Sequence, residues 1–124
     1  MTLRARTAEA TLRMSPAALA YSRMIELMEL AAVRLMKSHQ RDGESSVSIA
    51  MKVTHAASTT VGGTLRAVAA YDGISGRLHR FKINVFDESG LIGSAEHTRA
   101  VVIERRLSVV APRRVGNASS LSMV

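Results

Sequence analysis

The chain has 124 residues, 47% of them hydrophobic and 22% charged, with no cysteine; one domain of this size buries a core without disulfides or a structural metal. The missing thiols exclude cysteine catalysis, thiolate zinc sites and iron–sulfur ligation. A net charge of +7, from 17 Lys and Arg against 10 Asp and Glu, invites a nucleic-acid reading, but only 3% of residues are aromatic and the basic ones gather near the two ends, so a nucleic-acid partner is not expected.

The opening MTLRARTAEA acquires Glu9 before any apolar core develops, and no apolar run is long enough to span a membrane. No signal peptide is expected, and the cytoplasm is the expected compartment. Residues 2–13 alternate weakly, as an edge strand would, and Ser15-Pro16 marks a stop and a helical start. Residues 23–37, RMIELMELAAVRLMK, are rich in Ala, Leu, Met and Glu and predict a helix. At about 100° per residue, Arg23, Glu26, Arg34 and Lys37 share one narrow stripe while nearly everything else is apolar, so this helix is expected to be mostly buried.

HQRDGE reads as a turn. Beyond it Val47, Ile49, Met51 and Val53 alternate with Ser46, Ser48, Ala50 and Lys52, the pattern of a half-buried strand with its apolar set inward. The loop HAASTTVGG leads to a second strand over 64–71, and DGISG is expected to turn the chain into a third, where Phe81, Ile83 and Val85 alternate with Lys82 and Asn84. DESG then introduces a fourth strand from Leu91 to about Glu104. Four strands with short connections predict an antiparallel meander covered by the helix, an α+β domain over residues 1–106. Residues 107–124 carry Pro, Gly, Asn and Ser without a sustained period and are expected to form a flexible tail.

Glu29 is the most informative side chain. Its neighbours at helical spacing, Ile25, Ala32, Val33 and Met36, are apolar, a setting in which a carboxylate can activate water, although from spacing alone a carboxylate at a partly exposed helix edge, or one bonded to a strand hydroxyl, is the more ordinary arrangement. His55 continues the phase of Met51 and Val53, which places it towards the helix and within reach of Glu29; an inward His alone is more often structural than catalytic. His97 shares a face with Ala95 and Arg99, a set whose charge points to solvent, and His39 and His79 are expected at the surface. Paired glycines at the end of HAASTTVGG, Gly62 among them, permit backbone amides to approach an acyl oxygen or a phosphate. No GxxxxGK[ST], GxGxxG or HExxH pattern is present, so neither a nucleotide loop nor a metal site is expected.

Three segments, LMELAAVRLM, DGESSVSIAMKVTHAASTTVGG and SGRLHRFKINVFDESGLIGSAEHTRAVV, keep a colinear spacing over residues 19–104 that resembles the hot-dog fold thioesterases of the fluoroacetyl-CoA thioesterase type. The resemblance implies a long helix across a curved antiparallel sheet, a homodimer (with a tetramer of two dimers left open), and hydrolysis of an acyl-CoA bound at the subunit interface, with no cofactor beyond the CoA of the substrate. The family's helix glutamate falls on Glu29 and its strand-end histidine, in a VTHxAxT segment, on His55. Its H-x-R pair falls on His97 and Arg99, which the resemblance assigns to the ligand side. Two positions depart from the pattern. The hydroxyl eight residues before the helix glutamate, usually Thr, is Tyr21 here with Ser22 following, and a frequent glycine whose amide meets the thioester carbonyl is Ser48. A phenol donates a hydrogen bond but does not reproduce threonine geometry. The resemblance therefore leaves a second possibility, a non-catalytic module binding a CoA-linked or apolar ligand.

Overall fold

A computed structural model describes residues 4–13, 20–55 and 63–105. One helix, α1 (Ala20–Met36), lies on a five-stranded antiparallel sheet of β1 (Thr7–Arg13), β2 (Glu44–His55), β3 (Thr64–Ser75), β4 (Leu78–Asp87) and β5 (Gly90–Ile103), in the order β1-β3-β4-β5-β2. The predicted tail, Ser15-Pro16 and Gly62 lie outside the described residues.

The order corrects the predicted simple meander. Only β3, β4 and β5 follow one another across the sheet; β2 pairs with β5 at the far edge, and the weakly alternating arm becomes the opposite edge as β1. Local connection length sets which strands are neighbours only where a tight turn joins them, as at Gly76, whose φ of +63° suits the β3–β4 turn. The segment DGISG is therefore not itself the turn. β3 runs on to Ser75 through a register shift between Tyr71 and Gly73, where Gly73 takes φ +111°.

The core follows the alternation. Leu65, Ala67 and Ala69 of β3 and Phe81, Ile83 and Val85 of β4 are buried, facing Met24, Leu27, Met28, Ala31, Ala32, Leu35 and Met36 of α1. Alanines on both surfaces, Ala67 and Ala69 below and Ala31 and Ala32 above, leave room for the helix to sit close to the sheet. The helix packs chiefly over β1 and β3 and touches β2 far less. Beyond α1 the chain turns back on β1: Ser38 Oγ accepts from the Ala5 amide at 2.7 Å, and His39 Nε2 donates to the Ala5 carbonyl at 2.9 Å.

His39 and His79 are not surface residues as predicted. The His39 ring stacks on Tyr71 with centroids 4.2 Å apart, and the Tyr71 hydroxyl meets His79 Nδ1 at 2.8 Å, with His79 buried. A polar ring just past a helix, as at His39, or at the start of a strand, as at His79, reads as exposed in sequence. Here each end of the cluster finds a hydrogen-bond partner, which is what allows burial.

Candidate active site on the β5–β2 half of the sheet

The alternation of β2 does not hold through its length. Glu44 to Ser48 pair with Ile103 to Arg99, and Ala50 to His55 pair with Thr98 to Gly93, so Ile49 is an extra residue. Directly opposed residues share a face. Ser46 and Ser48 before the bulge therefore lie on the same side as Met51, Val53 and His55 after it, and Ile49 is 39% exposed rather than inward. One inserted residue reverses the predicted assignment of Ser48, Val47 and Ile49.

His97 and Arg99 correct the expectation of a solvent-facing set, being only 1% and 5% exposed. The His97 Nδ1 atom lies 2.8 Å from the Ala50 carbonyl, which can only accept, so Nδ1 carries the proton. Nε2 is then the acceptor for the Arg99 guanidinium at 3.2 Å. Arg99 also donates from Nε to Ser46 Oγ at 2.9 Å and from its other terminal nitrogen to the Ser46 carbonyl at 3.0 Å. Three of its five N–H groups are engaged, and the guanidinium remains a cation.

Glu29, half-buried on α1, is the carboxylate whose charge reaches this pair. Burial pushes the His97 ring below the usual imidazole range; the Ala50 hydrogen bond opposes the shift, Arg99 adds to it and Glu29 opposes it. Burial likewise lowers Arg99, against Glu29. Ser46, which no motif in the sequence singled out, proves to be the residue that holds Arg99. Its only signal in the sequence was a hydroxyl in the strand's polar phase.

His55 lies on the helix side, as its phase predicts, but it is exposed and its ring faces Tyr21, with centroids 5.6 Å apart. Ser22, beside Tyr21, is exposed. His55 opposes Gly93, whereas Met51 opposes His97; four residues of strand separate the two positions by about 13 Å. The eight residues from Tyr21 to Glu29 span about 12 Å of helix. One chain therefore carries two separate groups, Tyr21 with His55 and Glu29 with His97 and Arg99, and does not bring Glu29 and His55 into contact. A cleft of about 210 Å³ that reaches Ala50 and His97 is lined by both signs of charge, Lys52 and Arg80 with Asp72 and Glu96; Lys52 opposes Glu96 and Arg80 opposes Thr98, on the face of the sheet turned away from α1.

Among the described residues, no three His, Asp or Glu side chains gather to hold a metal ion, and no helix is long and apolar enough to cross a membrane.

The buried imidazoles give a pH dependence. His97 faces Ala50, Arg99 and Glu29, and His79 faces Tyr71, His39 and Arg4; burial lowers both rings, most of all in its effect on the charged form. In the unfolded chain each returns to about 6.5. Below that pH the unfolded state binds protons that the folded state refuses, so this stability is complete above about pH 6.5 and is lost as the pH falls. Thermal melts should show Tm falling from pH 7.5 to pH 5, with a smaller fall in His97→Asn, which keeps a donor for Ala50. Equal falls in parent and variant would remove His97 from the effect.

Residues 3–105 match a family profile described as fluoroacetyl-CoA-specific thioesterase. A fluoroacetyl-CoA thioesterase of Streptantibioticus cattleyicolor is 38% identical over 79 residues, covering 64% of this chain; the match spans 57% of that relative's length. A solved variant of the fluoroacetyl-CoA-specific thioesterase in complex with fluoroacetate and CoA superposes with a TM-score of 0.78 at 26% identity, over 86% of this chain and 98% of that one. A Thermus thermophilus protein described as a thioesterase superfamily member shares the fold, with a TM-score of 0.83 at 18% identity over 97% of this chain and 98% of that one.

Proposed function

The chain belongs to the fluoroacetyl-CoA-specific thioesterase family, with the hot-dog fold, and from that membership we propose that it hydrolyses a small acyl-CoA thioester, working as a homodimer in the cytoplasm. The observation that carries the reading is the buried, hydrogen-bonded His97–Arg99 pair, within the field of the Glu29 carboxylate, on the half of the sheet that α1 covers least.

Water adds to the thioester carbonyl, the C–S bond breaks, and CoA leaves as a thiolate that takes up a proton. Glu29 accepts the proton of the attacking water, or attacks the carbonyl itself and is released by water in a second step. Backbone amides near Ser48 receive the oxyanion, and the two N–H groups that Arg99 has left serve the acyl end. His55, whose ring lies by that of Tyr21, passes a proton towards the leaving sulfur. Because Glu29 and His55 of one chain stand apart, the His55 that serves a given Glu29 comes from a second copy, docked along β2, an edge strand of the sheet.

The test is a screen of short, branched and aromatic acyl-CoAs read by CoA release. Release from at least one short acyl-CoA is expected; none across the panel overturns the proposal. Tyr21 and Ser48, the two departures from the family pattern, favour the second reading of a non-catalytic ligand-binding module. Saturable acyl-CoA binding without CoA release selects it.

A further inference from the structure

In a regular antiparallel ladder the carbonyls lie in the plane of the sheet and point at the neighbouring strand, while side chains stand roughly perpendicular to it. A side chain on one strand therefore reaches a carbonyl of the next only where that carbonyl is tilted out of the plane. A bulge provides the tilt, because the extra residue bends its strand and increases the local twist. In β2 the extra residue is Ile49, and the carbonyl that follows it, Ala50, accepts from His97 Nδ1 at 2.8 Å.

We infer that the bulge at Ile49 is a positioning element of the site: it turns the Ala50 carbonyl to His97, fixes that ring as the Nδ1–H tautomer, and so keeps Nε2 as an acceptor that orients the Arg99 guanidinium. The inference deepens the thioesterase reading and depends on it only for what Arg99 then does to a substrate. Three acceptors set the guanidinium plane: the hydroxyl and carbonyl of Ser46, before the bulge, and His97 Nε2, held from just after it. Without the phase change at residue 49, Ser46 would share the face of Ala50 and Lys52 rather than that of Met51. The opposite tautomer would turn an Nε2–H towards a cation that has only donors, and Arg99 would lose its third anchor.

Deleting Ile49 isolates the bulge, because every other β2–β5 pair, from Glu44↔Ile103 to His55↔Gly93, stays in register and keeps its face. The readout is the ¹⁵N spectrum of the His97 ring, which distinguishes a protonated from an unprotonated nitrogen. The parent should show Nδ1 protonated and Nε2 bare. Ile49→Ala, which keeps the extra residue and loses only a partly exposed side chain, should match it. With the Ala50 acceptor withdrawn while Ser46 still holds Arg99, the deletion should lose the single-tautomer spectrum of the parent and show an Nε2–H fraction that the parent lacks. A parent ring with Nε2 protonated overturns the inference, as does a folded deletion variant with the parent's spectrum. If the deletion variant does not fold, the parent and Ile49→Ala spectra still decide: Nε2–H in the parent, or a tautomer that changes with the Ile49 side chain alone, defeats it. Absence of acyl-CoA turnover would remove the thioesterase proposal without altering this spectrum.

Discussion

Glu29→Gln should reduce CoA release by about 100-fold or more in kcat, while leaving the fold intact. The amide matches the carboxyl in size, and the residue is half-buried at the margin of the core rather than within it, so packing changes little. What is lost is the negative charge and the lone pair that takes a proton from water or attacks the carbonyl. Loss of the charge also removes a carboxylate whose field reaches both His97 and Arg99. Retained affinity for acyl-CoA with lost turnover is the expected pattern, since a residue that acts in the transition state lowers kcat more than it raises KM. If purified Glu29→Gln protein hydrolyses the acyl-CoA panel as fast as the parent, Glu29 has no part in the chemistry.

Gly93→Ala should cost about 1–3 kcal/mol of stability, because the added methyl has no space. Gly93 sits on β5 opposite His55, and its backbone is not in the left-handed region, so the objection is steric alone. A Cβ there would lie 2.5 Å from Met24 Sδ and 3.2 Å from the Thr54 carbonyl. Met24 is fully buried and cannot swing out to solvent, and the carbonyl belongs to the sheet. The displaced Met24 stands one turn after Tyr21 on α1, so the Tyr21–His55 contact should loosen as well. Met24→Ala alone opens a cavity costing about 2–5 kcal/mol. Together the two alanines should cost less than their sum, since the new methyl fills part of the space Met24 vacates. Urea unfolding of the four proteins measures the coupling. Strict additivity, or a Gly93→Ala protein as stable as the parent, would mean that helix and strand do not meet at that glycine.

Much of the framework was legible in the order of residues. The apolar run of α1 and the period-two segments around Leu65, Phe81 and Ala95 each state a local conformation, because burial of one face repeats at the period of the element that buries it. The spacing of three segments also carried the family, and with it Glu29 as the carboxylate to watch. These are properties that a chain expresses through near neighbours.

Strand order, bulges and partners were decided by the tertiary structure. β2 crosses to β5 because edge pairing and coverage by α1 are settled among distant residues, which no local period records. Ile49 fits a perfect alternation in sequence, yet one unpaired position there puts Ser46 and Ser48 on the face of Met51 and His55. His97 and Arg99, charged or polar by type, are buried because each finds its acceptor on β2, 47 and 53 residues away in the chain. The sequence alone thus determined which elements form and to which family they belong. The third dimension decided which side chains meet, because a buried hydrogen bond depends on the position of both partners, and sequence patterning constrains each of them only one at a time.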